Sequence, residues 1–418
     1  MRGLGGSFAA GACALLGSPM VLARAAPKVV VIGGGFAGAS FARAIKREDP
    51  QIAVALVEPN AHYTACPLSN AVIAGLRDMK AQHFGYAGIE ADGIVHVQQK
   101  AVGVEAGQRR VVLADEARLN YDRLIVAPGI EMRLDAIPGY DAAAVDLMPH
   151  AWKAGEQTLL LRRQLEAMED GGLVVISAPA NPFRCPPGPY ERASLIAHYL
   201  KANKPRSKIV ILDAKDAFSK QRLFEAGWTA LYPGMIEWVS LSFGGAVTGV
   251  DVATRTLRTE FGDHRAAVAN VIPPQRAGAI AAIAGVADRT GWCPINPVTF
   301  ESLLVPNIHV IGDAVIGGAM PKSAFTANAQ AKACADAVIA LLRDRNPSEP
   351  KLINTCYSLL APDYGISIAG VYSPQNGLLA EVEGAGGTSP LDAPLAERTE
   401  EAAYGEAWFD TITTEAFG

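Results

Sequence analysis

Charge is scarce in this sequence: 19% of its 418 residues are Asp, Glu, Lys or Arg, and the net charge is −5. A polycationic nucleic-acid binder is therefore excluded, and a chain that is half hydrophobic is not a disordered one. No CxxCH occurs, so the chain offers no attachment site for a c-type haem. Beyond the first 25 residues nothing resembles a membrane span. No metal-ligand set is assigned either. What remains is a mildly acidic globular protein, long enough for two or three domains of about 150 residues each.

The N-terminal segment MRGLGGSFAAGACALLGSPMVLARA reads as an export signal over residues 1–25. Arg2 precedes an apolar stretch from Phe8 to Ala23, and Ala23, Arg24 and Ala25 form an A-x-A arrangement. The alternative is a retained apolar anchor. Gly11, Gly17, Ser18 and Pro19 interrupt the run, however, and it is shorter than the roughly 20 residues a bilayer needs. Removal of Arg2 and Arg24 takes the net charge from −5 to −7 and implies a soluble periplasmic product. Of the six cysteines (Cys13, Cys66, Cys185, Cys293, Cys334 and Cys356) five then remain. An odd number in an oxidising compartment leaves at least one thiol free, paired with another chain or bonded to something else.

The strongest local signal is a dinucleotide cradle. Lys28–Ile32 is a β-branched run suited to a buried parallel strand, Gly33, Gly34, Gly35 and Gly38 follow, and a helix is expected from about Ala37 to Lys46. A second strand ends in Glu58, twenty residues past Gly38. Gly33 permits the tight turn, Gly35 lets the backbone approach a pyrophosphate, Gly38 lets helix and strand pack, and Glu58 can accept from ribose hydroxyls. Two later strand-turn segments, Tyr121 to Gly129 (YDRLIVAPG) and Asn307 to Ala314 (NIHVIGDA), resemble the FAD-domain motifs of glutathione-reductase-like flavoproteins. That resemblance implies FAD, with Asp313 on the ribityl chain and a helix from about Ser323 to Arg343 aimed at the flavin pyrimidine.

Such flavoproteins usually insert a second nucleotide-binding unit, and GGLVVISAPA from Gly171 looks like its first strand. Its glycine fingerprint is missing. The strand is followed by Pro179, Asn181, Pro182, Arg184, Cys185, Pro186 and Pro187, and these prolines remove backbone donors where a pyrophosphate would need them. Nicotinamide binding is thus disfavoured, while the helix-like ERASLIAHYLKA and the strand-like KIVILDA retain the fold. From Glu381 to the end there are nine acids and one base, Arg398, which make either a solvated surface or a face that steers a basic partner.

From Lys28 to Gly418 the chain resembles the flavoprotein subunit of flavocytochrome c sulfide dehydrogenase and its Sox sulfur-oxidation relatives. The resemblance is carried by YTACPLSN, HAWKAGEQT, PFRCPPGPYERAS, IPPQRAG, GWCPIN, VIGDA, NTCYSLLAPDYGIS and the terminal FG. It implies a thioether from Cys66 to the flavin 8α-methyl and a redox-active disulfide between Cys185 and Cys356. It further implies a glutamate near that disulfide at Glu191 and an aromatic near the flavin at Trp408. Other readings stay open. Cys66 can be a buried unmodified thiol, the disulfide can be purely structural, Glu191 can be an exposed first-turn glutamate, and Trp408 can anchor the C-terminal segment. Since Cys185 precedes a helix starting near Pro189, a lowered thiol pKa is expected there. Cys293 and Cys334 read as packing residues.

The expected fold class is α/β: two Rossmann-like three-layer domains of the glutathione-reductase type, plus an α+β C-terminal domain. The expected extents are 26–148 and 267–345 for the FAD domain, 149–266 for the inserted degenerate nucleotide-binding-like domain, and 346–418 for the C-terminal domain. The resemblance implies oxidation of sulfide to sulfur or polysulfide, with electrons passed to a c-type cytochrome subunit that carries the haem in a heterodimer. The competing readings are a sulfide:quinone oxidoreductase, a non-catalytic flavoprotein electron carrier or accessory of sulfur oxidation, and an NADH-dependent disulfide reductase.

Overall fold

A computed structural model describes residues 26–418. The expected export signal lies outside the described residues. Lys28–Ile32 forms the centre of a five-stranded parallel sheet in the order Ile308–Val310, Arg123–Val126, Lys28–Ile32, Ala53–Val57, Val95–Val97. In-register pairing of Val29 to Ile32 with Arg123 to Val126 on one side, and of Lys28 to Ile32 with Ala53 to Val57 on the other, buries both faces of the KVVVI run. This is why it carries no polar alternation. The helix Phe36–Glu48 follows directly and packs on Ala324–Leu342, the helix expected after Asp313. Ser323 caps the latter by accepting from the Thr326 amide.

The second sheet is also parallel, in the order Ile236–Val239, Lys208–Asp213, Leu173–Ala178, Val268–Val271. Its last strand falls just past the expected boundary at 266, because Val268 to Val271 pair with Val174 to Ser177. A three-stranded antiparallel meander, Val247–Asp251, Thr256–Thr259 and Asp263–Arg265, separates that strand from the rest of its sheet in sequence. The helix Gly188–Asn203 leaves the end of Leu173–Ala178, with Pro189 in its first turn where no amide donor is needed.

After residue 346, the long antiparallel pair Leu352–Ala361 and Tyr364–Gln375 is extended by Leu378–Glu381 and Gly387–Thr388. The 23-residue helix Leu395–Phe417 then packs across the long strand and reaches the first sheet's helix. Its end is tied down by ring packing. Phe417 stacks on Tyr63 at 5.3 Å and on Phe84 at 5.4 Å, and lies 5.6 Å from Phe36. Among the described residues no helix is long and apolar enough to cross a membrane.

Candidate active site

A cavity of about 630 Å³ opens where the ends of the first sheet, the Gly188–Asn203 helix and the Leu352–Ala361 strand meet. Nine of the ten residues singled out by sequence border it: Gly33, Gly35, Glu58, Cys66, Cys185, Glu191, Asp313, Cys356 and Trp408. Gly38 stands behind the wall. A Cβ there would lie 1.9 Å from the Gly33 carbonyl oxygen, which is the close helix–strand approach that position was assigned. Gly33 itself has φ +101°, and a Cβ would meet the Ala127 carbonyl oxygen at 2.3 Å.

The cradle is built for an anionic, ribose-bearing ligand. Gly35 caps Phe36–Glu48 with no side-chain partner, so the first-turn amides face the cavity. Glu58 accepts from the Gly34 amide at 3.0 Å and from the Asn60 backbone and side-chain amides at 3.0 and 2.6 Å. At the far side Asp313 presents a buried Oδ1 with no hydrogen-bond partner. Burial pushes its carboxyl up, against the pull of Arg184 and Lys322. An orphaned carboxylate oxygen bordering a cavity is a polar group left for a ligand to satisfy, and the flavin ribityl hydroxyls suit it.

Cys66 sits between the strand His62–Thr64 and the short helix Ser69–Ile73, its carbonyl accepting from the Ser69 amide at 3.0 Å. Cys185 has φ +58°, a strained conformation held by the hydrogen bond its backbone N–H donates to the Lys322 carbonyl at 2.8 Å. Its thiol is not lowered by the helix beside it. Burial pushes it well above the ordinary thiol range, and Glu191 raises it further. Desolvation of a sulfur walled in by Trp152 and Gly188 outweighs the partial charge of one helix end. Cys356 lies on Leu352–Ala361, where its sulfur accepts from Asn354 Nδ2 at 3.3 Å. Cys185 and Cys356 are free thiols in this structure, close enough that a negative charge on Cys356 disfavours one on Cys185.

Glu191 is only partly exposed. It accepts from Asn70 Nδ2 at 2.7 Å and from the Leu359 amide at 2.9 Å, so it bridges three segments instead of decorating a helix end. Burial raises its carboxyl, which suits a group that exchanges protons beside two thiols. Trp408 both borders the cavity and anchors its helix, parallel to Phe325 at 6.0 Å and 6.2 Å from Tyr357. Cys293 and Cys334 are buried in the core, the former pushed up to about 12 by burial.

Sequence reasoning missed the cations. Arg184 adjoins Cys185, donates to the Trp152 carbonyl and stands 3.9 Å from Asp313. Arg192, 2% exposed, is held by Asn70, Asn270 and the carbonyls of His150 and Ala151. Arg184 and Arg192 both lie inside the PFRCPPGPYERAS stretch, so both were within reach. Lys220 lies in no motif, and only the fold brings it to Cys356.

A family model described as the central region of the sulfide dehydrogenase [flavocytochrome c] flavoprotein chain matches residues 158–273, and one for the flavin-binding region of flavocytochrome c sulphide dehydrogenase matches residues 348–417. A sulfide dehydrogenase [flavocytochrome c] flavoprotein chain from Chlorobaculum thiosulfatiphilum is 56% identical over 45 residues, 94% of that sequence and 11% of this chain. This chain belongs to the flavocytochrome c sulfide dehydrogenase flavoprotein family. A model for pyridine nucleotide-disulphide oxidoreductases matches residues 27–167, so the family sits within that wider fold. The mitochondrial sulfide:quinone oxidoreductase of Mus musculus is 22% identical over 307 residues, 68% of this chain, and the match spans 65% of the mouse protein's length. The sulfide:quinone oxidoreductase structure from Aquifex aeolicus has a TM-score of 0.74 at 17% identity, covering 93% of this chain and 92% of that one, a likeness of fold.

Proposed function

We propose that this flavoprotein-family chain is the sulfide-oxidising subunit of a periplasmic sulfide:cytochrome c oxidoreductase, with FAD attached through Cys66 and a disulfide between Cys185 and Cys356. The observation that carries the reading is the shared cavity. Two cysteines 171 positions apart, an unpaired Asp313 oxygen and a glycine turn under a helix N-terminus all border it.

Gly33, Gly35 and Glu58 would hold the adenosine diphosphate half, and Asp313 the ribityl chain. When bound, the flavin supplies a two-electron acceptor that can release electrons singly. The chain's own chemistry is thiol–disulfide exchange. Hydrosulfide attacks one sulfur of the Cys185–Cys356 pair, the S–S bond breaks, and one cysteine keeps the added sulfur as a persulfide while the other leaves as a thiolate. A second hydrosulfide attacking the persulfide releases the sulfur product and leaves both cysteines reduced. Glu191 would take up the proton that hydrosulfide brings, and the buried cations Arg184 and Arg192, which line the cavity, would favour anions there. With no haem attachment site in this chain, a separate c-type cytochrome is the acceptor, and the acidic residues after Glu381 supply a face for a basic partner.

The test is to denature the purified protein in acid and see whether flavin stays with the polypeptide, then to titrate the native protein anaerobically with sulfide. Protein-bound flavin bleached by sulfide supports the reading; flavin that is released, and that sulfide fails to bleach in the native protein, rejects it in favour of an accessory flavoprotein. The likeness to sulfide:quinone oxidoreductases favours quinone as the second acceptor to try. Turnover with a soluble quinone and none with cytochrome c would reassign the acceptor.

A further inference from the structure

Lys220 immediately precedes the helix Gln221–Leu231, in a left-handed backbone conformation with φ +61°, and is only 7% exposed. Its ammonium donates to the Cys356 carbonyl at 2.8 Å, to Ser358 Oγ at 2.8 Å and to the Ile366 carbonyl at 3.4 Å. These partners lie on two strands of the C-terminal sheet, so one side chain from the second unit grips the strand that carries a cavity cysteine. None of the three is a carboxylate. The ammonium also lies 5.8 Å from the centre of the Phe224 ring. A buried ammonium with no carboxylate in direct contact carries a desolvation cost that an apolar side chain of similar length would not. Its retention beside a titratable sulfur calls for a charge to balance it.

The charges around it identify that sulfur. Burial pushes Lys220 down to about 8, and the groups that act against this are Cys356 first, then Glu191, Cys185 and, from the C-terminal helix, Glu401. Burial also raises the Cys356 thiol, and the first influence opposing it is Lys220, followed by the hydrogen bond from Asn354. Asn354 is oriented for the task. Ser323 Oγ and Thr326 Oγ1 donate to its Oδ1 at 2.5 and 3.2 Å, which turns the amide NH₂ toward the sulfur. The remaining groups that face Cys356 are Glu191 from Gly188–Asn203, Cys185, and Tyr372 from the adjacent strand. The two thiols therefore differ in their leading charge: at Cys356 it is Lys220, joined by an amide donor, whereas at Cys185 it is Glu191, followed by Cys356, with Arg184 and then Lys220 acting the other way.

We propose that Lys220 is a positioning residue whose ammonium is the counter-charge for a thiolate at Cys356. It also holds that cysteine's strand against the second unit. The inference rests on the reading that Cys185 and Cys356 work as a redox pair, since only then is a thiolate formed at this place in each cycle.

The test uses the reduced holoprotein, without sulfide or turnover. Alkylation of each cysteine by iodoacetamide is followed by peptide mass spectrometry across a pH series, each rate normalised to that cysteine's own high-pH limit, which removes differences in access. Lys220→Gln keeps an N–H donor and loses the charge. It should lower the normalised neutral-pH rate at Cys356 about tenfold, with a smaller change at Cys185, and Lys220→Arg should restore it. An unchanged Cys356 profile, or equal shifts at both cysteines, overturns the proposal. Should Lys220→Gln fail to fold, the unmutated protein still decides: Cys356 must reach half its limiting rate at lower pH than Cys185, and the reverse order overturns the proposal. The redox-pair reading fails separately, if the oxidised protein yields no peptide linking Cys185 to Cys356.

Discussion

The first and second parallel sheets begin alike and end differently. In each, a buried strand runs into a turn and then a helix, Lys28–Ile32 into Phe36–Glu48 and Leu173–Ala178 into Gly188–Asn203. In the first, the turn is glycine, the helix amides are uncapped, and the acid at the end of the next strand, Glu58, borders the cavity. In the second, the corresponding acid, Asp213, is fully buried and spoken for. It accepts from Tyr190 at 2.5 Å, from Trp238 at 2.9 Å and from Lys215 at 2.5 Å, and Tyr190 stacks on Phe218 at 3.6 Å. One unit keeps its acid at the cavity wall, bonded to the Gly34 and Asn60 amides; the other buries its acid among its own side chains and uses its turn to present Cys185. A repeated fold constrains where a site lies, and the turn chemistry decides what the site holds.

The sharpest way to break this contrast is Asp213→Ala, which strands Lys215 and the two aromatic donors in the core. It should destabilise the protein by about 3–5 kcal/mol, read as a lowered Tm, without creating NADH binding. An Asp213→Ala protein that unfolds normally and binds NADH would mean the second cradle is merely occluded. In the first unit, Gly38→Ala forces apart a helix and strand that nearly touch. A loss on the order of 3 kcal/mol is expected, together with a lowered ratio of flavin to protein absorbance.

Both regions also hold a buried neutral histidine, so acid should test them together. Burial lowers His309, on the strand Ile308–Val310, and His150, beside the second sheet, each to about 4. Because the unfolded chain binds these protons near pH 6.5, their stabilisation is complete above that pH and is lost as pH falls toward 4, each by on the order of 3 kcal/mol. A His309→Gln variant should flatten the fall in denaturant midpoint measured over that window. The smallest effect is expected from Glu58→Gln. Weakening its bonds to the Gly34 and Asn60 amides should lower stability by about 1 kcal/mol in thermal unfolding.

Much of the first unit could be read directly because its instructions are local. A β-branched run, a glycine turn and an acid twenty residues on are close in sequence, and Gly38 is required by the Gly33 carbonyl of its own strand–turn–helix. Cys185 and Cys356 were legible only through a resemblance, since 171 positions say nothing about distance. The expectation of a lowered Cys185 thiol failed because helix ends can be seen in a sequence and desolvation cannot. Glu191 stood in a motif, yet its bond to Leu359 depends on a strand from the far end of the chain.

By itself, then, the sequence determined the parallel-sheet frame, the glycine cradle and the absence of a second one, because backbone conformation and hydrophobic pattern are short-range properties. Only the tertiary structure decided which side chains face each other across the cavity. Lys220 meets Cys356 from 136 positions away, and Asp213 is withdrawn from solvent by Tyr190 and Trp238. The physical reason is that electrostatic and desolvation energies depend on distance and burial in three dimensions, neither of which is set by position along the chain.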